Sequence, residues 1–418
     1  MDIERGYNLL EKMYFERLGG TKEELEACKI IQNELKEIGL DSTIEYFDVI
    51  RSNITKVSFE VLEPYQKTYE ASGYMNCKEV EDLVLDLCYF ECDTPVSRKM
   101  AKDKCAIAGT YMGMKTYKAL CEAGAKAFIT YNGDADFKEF YDLDDRELRE
   151  KLKQFGDLPG INIRTEDAME LVEKQASKVK ITVKQEVYNC KSQNLVCDIK
   201  GESEDWIVCS AHYDSVPNSK GAYDNATGSV CLFGMAENLK AVPLKHNVRF
   251  VWCGSEERGL LGSKAYVEAH KDELKNIKLN VNIDMIGTIM GKRIAVSTAD
   301  MSLVHFIDYY GKMVGFPIES SQGVYSSDST PFADVGVPAF SYARWTNADT
   351  GRFHCRHDVM EHLSKHILKE DIEFISKFTE TMATSFVIPV VAEIPKNMKE
   401  EIDKYYGRDL EEKKEEKK

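Results

Sequence analysis

Acidic and imidazole side chains recur at short intervals in the second half of the chain. The residues are His212, Asp214, Asp224, Glu256, Glu257, Asp284 and His354. Carboxylate oxygens and imidazole nitrogens are ligands that zinc and similar divalent ions bind at neutral pH. All eight histidines lie after position 211, which supports a metal site in this part of the chain. The set provides enough ligands for two ions, so it predicts a hydrolytic centre with two metals.

Three of these groups follow short apolar runs that are typical of buried strands, at 206–210, 248–253 and 279–283. Strands and helices alternate from about 194 to 392, which predicts a mostly parallel central sheet covered by helices on both faces. In such an α/β fold the carboxyl ends of neighbouring strands meet at one crevice. We therefore expect the acidic and imidazole groups to converge there.

Asp214 and Asp224 each have more than one interpretation. Asp214 lies two residues after His212, so in a strand both point to one side, and Asp214 can accept the second N–H of the imidazole. Asp224 precedes an apolar helical pattern, where an aspartate is often an ordinary N-cap. A carboxylate in that place can also bridge two cations with its two oxygens.

The pair Glu256-Glu257 is more specific. Adjacent acids after a buried strand repel each other and lose hydration unless a cation compensates them. Their side chains diverge, so one can bind metal while the other acts as a general base on water. Asp284 also follows an apolar strand, where an unpaired carboxylate is costly.

The last ligand must come from the segment 353–358, and spacing alone does not choose between His354, Cys355 and His357. Nearby, Tyr342 is a candidate for steadying an oxyanion, although a packed tyrosine would leave the same pattern.

The chain has 418 residues and 43% hydrophobic content, which is enough for more than one domain. We predict a catalytic domain from residues 1–54 and 186–393. Residues 55–185 contain several short β-like runs and are predicted to form a β-rich insertion domain. The charged segment 394–418 has little apolar surface and is predicted to be a disordered tail.

The composition of the chain argues against some classes of binding partner and favours one cellular location. The net charge of −16 argues against nucleic acid or an anionic membrane as a main partner. The chain has no run of about 20 apolar residues and starts without an apolar export signal. Its twelve cysteines lack the paired spacing of a zinc ribbon and favour reduced thiols, so a cytoplasmic protein is expected. Self-association into a homo-oligomer stays open.

Four sequence blocks carry a family resemblance. They are SAHYDS at 210–215, DNATG at 224–228, GSEERGLLGS at 254–263 and NIDMIG at 282–287. Together they resemble the di-zinc aminopeptidase family that includes bacterial leucyl aminopeptidases, aminopeptidase Y and the glutamate carboxypeptidases. Residues 123–132, within the predicted insertion, resemble a protease-associated domain, which this family often carries there.

The resemblance implies two zinc ions per chain that are bridged by Asp224. It assigns His212 and Asp284 to one ion, and Glu257 and His354 to the other. It also implies a cis peptide bond between Asp224 and the next residue.

The implied reaction is an aminopeptidase reaction on peptide substrates. A metal-bridged water attacks the peptide carbonyl, Glu256 is the general base, and Asp214 supports His212. Ser329 departs from the pattern, because many relatives have a histidine there, so the substrate pocket is expected to differ.

Three alternatives remain. In a carboxypeptidase or dipeptidase, Arg344, Arg352 or Arg356 would bind a substrate carboxylate. A glutaminyl cyclase has the same fold with one metal. Some relatives have lost zinc and bind protein partners, but here every implied ligand position is filled.

Overall fold

The structure is a computed structural model and describes residues 2–137, 142–347 and 349–409. Its α-helices are α1 Ile3–Lys12, α2 Lys22–Glu37, α3 Pro95–Ala101, α4 Met114–Ala123, α5 Thr165–Glu173, α6 Thr227–Leu239, α7 Leu261–Ala269, α8 Met301–Val314, α9 Ser329–Asp334, α10 Lys365–Thr384 and α11 Lys396–Tyr406. Its strands are β1 Ser42–Glu63, β2 Lys67–Tyr69, β3 Ser72–Met75, β4 Val80–Tyr89, β5 Cys105–Ile107, β6 Ala127–Asn132, β7 Arg146–Glu147, β8 Gly160–Arg164, β9 Lys178–Ile199, β10 Trp206–His212, β11 Asn247–Cys253, β12 Ile277–Ile283, β13 Lys292–Thr298, β14 Glu319–Gln322 and β15 Ala339–Trp345.

The chain divides into two compact units. The first comprises the residues up to Val49 and those from Cys190 onward, and the second is Ile50–Asn189. The chain leaves the first unit within β1 and returns to it within β9. These changes of unit lie near the domain boundaries expected at 55 and 185.

The first unit is built on a sheet with the strand order β14-β13-β15-β12-β10-β11-β9. The four strands β15, β12, β10 and β11 are parallel. Strand β13 is antiparallel to β15, and β9 is antiparallel to β11. The prediction of a mostly parallel sheet in an α/β fold is confirmed. Because β11 and β12 lie on opposite sides of β10, the strand order reverses at β10, where a crevice is expected at the carboxyl ends.

The central strands read as continuous apolar runs because both faces of the sheet are covered. In β10, Ile207 and Cys209 belong to the core on one face of the sheet. Val208, which lies between them, belongs to the core on the opposite face. The first core includes apolar residues of α2, α6 and α10, and the second includes those of α7, α9 and α11. Full burial of such a side chain contributes on the order of 2 kcal/mol.

Helix α2 shows how the local sequence sets one of these covering elements. The Thr21 side chain accepts a hydrogen bond from the main-chain N–H of Glu24 and caps the helix. Apolar residues at helical spacing, including Ala27, Ile31 and Leu35, are buried against the sheet.

The second unit has a separate core and mixes helices with strands. Strands β4, β5, β6 and β8 are parallel neighbours, and β3 pairs antiparallel with β8. Helix α4 ends at Gly124, which has φ +78°, a conformation that glycine adopts without steric cost.

The prediction of a disordered tail from residue 394 is wrong for its first part. Residues Lys396–Tyr406 form α11, and Met398 and Ile402 on this helix are buried in the second core. Two apolar residues four positions apart thus give the charged segment one packed face. The final predicted tail residues, 410–418, lie outside the described residues. In the described part of the chain, no helix combines the length and apolar character needed to cross a membrane.

Candidate metal centre

The ends of three parallel strands bring the predicted residues together. His212 is the last residue of β10, Asp284 follows β12 directly, and Glu256 lies three residues after β11. His354 comes from the loop between β15 and α10, and Asp224 from a short turn before α6. Separation in sequence therefore becomes proximity at one edge of the sheet.

Asp224 lies at the middle of this group. Its Oδ1 is 3.1 Å from Nε2 of His212, and its Oδ2 is 3.0 Å from Nε2 of His354. Asp284 Oδ1 lies 3.5 Å from the same His212 nitrogen, and Glu257 Oε2 lies 3.1 Å from the His354 nitrogen. The two oxygens of one carboxylate thus face two separate pairs of side chains.

The donor set fits divalent cations. Ligand atoms of His212, Asp224 and Glu257 lie within 4.8 Å of one another. Asp284 Oδ1 and Glu257 Oε1 are buried and have no hydrogen-bond partner among the described residues, which is costly unless a cation binds there. Two nitrogens and several carboxylate oxygens match the ligand preference of zinc.

The turn that carries Asp224 is held by residues that do not belong to the predicted ligand set. Asp358 accepts the main-chain N–H of Tyr223 at 2.6 Å and that of Asp224 at 3.0 Å. Asn225 donates to the carbonyl of Ile283 and accepts the N–H of Met285, so it ties this turn to the end of β12. The predicted cis peptide bond between Asp224 and Asn225 is confirmed.

A second carboxylate holds the turn of Glu256 and Glu257. Asp214 is fully buried, and its Oδ1 and Oδ2 accept the N–H groups of Glu256 and Glu257 at 2.9 and 3.2 Å. The same Oδ1 lies 3.5 Å from Nδ1 of His212, which makes no hydrogen bond among the described residues. The structure therefore gives Asp214 a main-chain role that was not predicted, beside its predicted position next to His212.

The pKa values of two carboxyl groups in the centre, those of Glu256 and Asp224, shift in opposite directions. Burial raises the pKa of Glu256 well above its usual value, against the effect of His212, and Glu257 adds to the increase. Burial also acts to raise the pKa of Asp224, but hydrogen bonds from His212 and His354 hold it well below the usual range. Such divergence is typical of a site where one carboxylate accepts protons and another binds cations.

Sequence reasoning missed Arg17. This side chain is fully buried, and its guanidinium donates to main-chain carbonyls, including those of Tyr213 at 2.6 Å, Lys220 at 2.6 Å and Gly221 at 3.0 Å. It therefore links the end of β10 to the segment that leads to Asp224. No local signal marks this role, because an arginine at the end of a loop is usually exposed.

Tyr342 is not brought into the group. It is fully buried in β15, and its hydroxyl donates to Asp371 Oδ1 at 2.8 Å. The predicted oxyanion contact is therefore wrong, because the hydroxyl is engaged inside the core. Its carbonyl instead accepts the N–H of Asp284 at 3.0 Å and helps to fix that ligand.

Two other predicted features have buried contacts. The Ser329 hydroxyl lies 2.7 Å from that of Ser341, and both residues are buried. Arg344 donates through Nε to the carbonyl of Thr288 at 2.8 Å. Arg344 is thus held by the main chain and is only 9% exposed, which disfavours binding of a substrate carboxylate.

Comparisons with known proteins agree with this arrangement. Residues 194–379 match the family described as Peptidase family M28. Aminopeptidase YwaD of Bacillus subtilis (strain 168) is 28% identical over 375 residues, which are 85% of this chain and 78% of that protein. Aminopeptidase Y of Saccharomyces cerevisiae (strain ATCC 204508 / S288c) is 27% identical over 216 residues, or 47% of this chain and 40% of that one.

The fold has close counterparts among solved structures. BSAP, a zinc aminopeptidase from Bacillus subtilis, superposes with a TM-score of 0.75 at 24% identity, covering 94% of this chain and 97% of that one. An aminopeptidase from Aneurinibacillus sp. strain AM-1 gives a TM-score of 0.75 at 21% identity, covering 93% and 96%. Both describe the fold that positions the centre.

Proposed function

Residues 194–379 match peptidase family M28, and on this premise we propose that the chain is a zinc-dependent aminopeptidase that releases N-terminal residues from peptides. One observation carries the proposal: the two oxygens of Asp224 lie 3.1 and 3.0 Å from two different histidines, with a carboxylate beside each histidine. This arrangement matches a carboxylate shared by two cations.

We assign one zinc ion to His212 and Asp284 and a second to Glu257 and His354, with Asp224 shared between them. Bound zinc supplies Lewis-acid chemistry, which lowers the pKa of water and polarises a peptide carbonyl. The unpartnered oxygens of Asp284 and Glu257 support this assignment.

Glu256 is the proposed general base. It lies 4.0 Å from His212 through Oε2, and burial makes its carboxylate more basic, so it can accept a proton from water and release it again. Glu256 would then deliver this proton to the departing amine. Asp214 keeps the Glu256 main chain in place during both transfers.

A free amine suits this centre better than a free carboxylate. Two bound zinc ions would offset the charge of the ligand carboxylates, but Glu256 is not assigned to an ion and can attract a nearby ammonium group. Arg344, one candidate for binding a carboxylate, is occupied by the Thr288 carbonyl. We therefore favour the aminopeptidase over the carboxypeptidase.

The test combines zinc content with hydrolysis of a small panel. We expect about two zinc ions per chain and cleavage of amino-acid anilides, with no cleavage of N-blocked peptides that end in a free carboxylate. Cleavage of only the blocked peptides would make the protein a carboxypeptidase. Cyclisation of N-terminal glutamine without peptide cleavage would make it a glutaminyl cyclase.

A variant tests the assigned base. Glu256→Gln should keep zinc and lower kcat by about 100- to 10,000-fold, because only proton transfer is removed. Glu273→Gln is a matched control, since Glu273 pairs with Arg249 away from the ligands. Normal kcat in the Glu256 variant would exclude this residue as the base.

We also propose that the second unit is a protease-associated domain and that the protein works in the cytoplasm. No disulfide joins the cysteines of the described residues, including the exposed Cys92, which supports a reducing compartment. A deletion of 55–185 with unchanged specificity and an unchanged number of subunits in solution would argue against a role in substrate selection or self-association. Cell fractionation would test the location.

A further inference from the structure

A buried carboxylate outside the proposed ligand set lies next to the turn that carries the proposed base. Glu24 is the third residue of α2 and has no exposed surface. Its Oε2 accepts hydrogen bonds from the N–H of Gly20 at 2.8 Å and from Gln193 Nε2 at 3.2 Å. Its Oε1 accepts from Ser192 Oγ at 2.9 Å and from the main-chain N–H of Ser255 at 2.8 Å.

Helix capping explains only part of this arrangement. The sequence Thr21 to Glu24 has the spacing of a capping box, in which a glutamate or glutamine turns back to the start of its helix. The contact between Oε2 and the N–H of Gly20, one residue before the Thr21 cap, is close to that arrangement. The contacts of Oε1 reach instead to Ser192 and Ser255, which are distant in sequence and do not belong to the helix.

Ser255 has φ +52°, a backbone conformation that residues other than glycine rarely adopt, so it needs stabilising contacts. It comes directly before Glu256. Glu24 accepts its N–H, and Asp214 accepts the next two N–H groups along the chain. Three consecutive main-chain donors of this turn are thus bound by two buried carboxylates.

The packing around this contact is close. A Cβ atom at Gly19 would lie 2.4 Å from Ser255 Oγ, and one at Gly254 would lie 2.7 Å from Glu24 Oε1. Both positions therefore require glycine for the approach of α2 to the turn.

We propose that Glu24 is a positioning residue for Glu256, acting through Ser255 to hold the turn of the general base in its active conformation. This inference rests on the proposed function for the role of Glu256. The hydrogen bonds themselves concern the turn, whatever reaction it serves.

Main-chain N–H groups donate to both oxygens of Glu24, which favours the ionised carboxylate although burial opposes it, so capping alone does not account for this residue. Burial and the nearby Asp214 carboxylate raise the pKa of Glu24 to about 8. A glutamine would cap the helix equally well. It has only one acceptor oxygen, however, and could satisfy the donors at Gly20 and Gln193 or those at Ser192 and Ser255, but not both sets.

The test compares Glu24→Gln with Glu34→Gln in the full zinc-loaded chain. Glu34 is a matched control because it is a buried carboxylate on the same helix that pairs with Lys12. We expect Glu24→Gln to lower kcat on leucine anilide about 10- to 100-fold, with KM within about twofold and normal zinc content, because the base is displaced while the ligands remain. Glu34→Gln should keep the wild-type kcat.

A second substitution separates positioning from a general loss of stability. Glycine adopts positive φ without support, so Ser255→Gly in the Glu24→Gln background should restore part of the lost kcat. If Glu24→Gln does not fold, Ser192→Ala removes one contact of the same oxygen and should lower kcat about threefold, which is the effect of roughly 0.7 kcal/mol.

The absorption spectrum of the cobalt-loaded protein gives a readout without substrate. The same turn carries Glu257, so we expect Glu24→Gln to shift the cobalt bands and Glu34→Gln to leave them unchanged. Wild-type kcat and an unshifted spectrum in Glu24→Gln would overturn the positioning role, as would equal losses of kcat in both variants. A wild-type chain that binds cobalt but cleaves no peptide would overturn the proposed function alone, and the spectra would still decide the role of Glu24.

Discussion

The two sides of the candidate metal centre are built differently. The strand-end half, His212 and Asp284, comes from the ends of β10 and β12, and its side chains are 1% and 6% exposed. The loop half, Glu257 and His354, comes from connecting segments, and His354 is 48% exposed with φ +56°. Asp224 faces both halves.

The strand-end half is held more firmly, and the loop half is more accessible to solvent. Strand ends are fixed by the hydrogen bonds of the sheet, as in the bond from the Asp284 N–H to the Tyr342 carbonyl. The loop half has no such ladder, so a buried acid must hold its turn, as Asp214 does for Glu257. In return, the exposed His354 leaves a side of the centre open to solvent and to a substrate.

Removing the shared carboxylate should have the largest effect. Asp224→Asn keeps the shape but leaves only one acceptor oxygen, so we expect fewer than two zinc ions per chain. Hydrolysis should fall at least about 1,000-fold, because the several kcal/mol that a bound ion supplies are lost. Zinc analysis and anilide hydrolysis measure both effects. Asp308→Asn, an exposed change on α8 next to Lys312, is the control.

Two full zinc ions in Asp224→Asn would contradict the shared role of this carboxylate. The halves would then be independent sites, and the comparison between them would lose its common member.

Substituting the two histidines separately should give unequal losses of stability. We expect His212→Ala to destabilise the metal-free protein by about 2 kcal/mol, because it leaves a cavity at a buried strand end. His354→Ala should cost about 1 kcal/mol or less, because its side chain is half exposed. Each variant should lose about one zinc ion. Denaturant unfolding after chelation, with zinc analysis before it, compares the two directly, and equal destabilisation would remove the distinction between the halves.

The smallest effect is expected at His270, which provides a baseline away from both halves. A hydrogen bond to Glu45 raises its pKa above the ordinary 6.5, so the protonated form stabilises the fold. That contribution is complete below pH 6.5 and is lost as the pH rises through the folded pKa. His270→Gln should therefore cost on the order of 0.5 kcal/mol at pH 5.5 and less at pH 8.5, with unchanged zinc content.

Melting temperatures of both proteins between pH 5.5 and 8.5 measure this effect. A difference that grows with pH would reverse the predicted sign. A change in zinc content would mean that the centre is sensitive to substitutions far from its ligands.

Much of the core fold was readable from the sequence. The apolar runs near 206, 248 and 279 became β10, β11 and β12, because a strand with both faces covered must be apolar throughout. The tail prediction failed for α11, because high average charge hid Met398 and Ile402 on one helical face. Average composition does not report which face a residue occupies.

The residues of the candidate centre were predicted from the sequence, but one further prediction, Tyr342, was wrong. The strand ends and the family resemblance together indicated His212, Asp224, Glu257, Asp284 and His354, and the structure brings them together. Tyr342 was misjudged, because a tyrosine near a site and one hydrogen-bonded in the core look alike in sequence. The contact with Asp371 exists only after α10 packs on the sheet.

The sequence by itself determined which groups could bind metal and at which strand ends they lie, because residue type and hydrophobic period are local properties. Only the tertiary structure decided how those groups are held. Arg17, Glu24 and Asp358 act on main-chain atoms that are far away in sequence, and main-chain donors and acceptors are the same at every residue. No pattern of side chains could therefore have indicated which of them these three residues would bind.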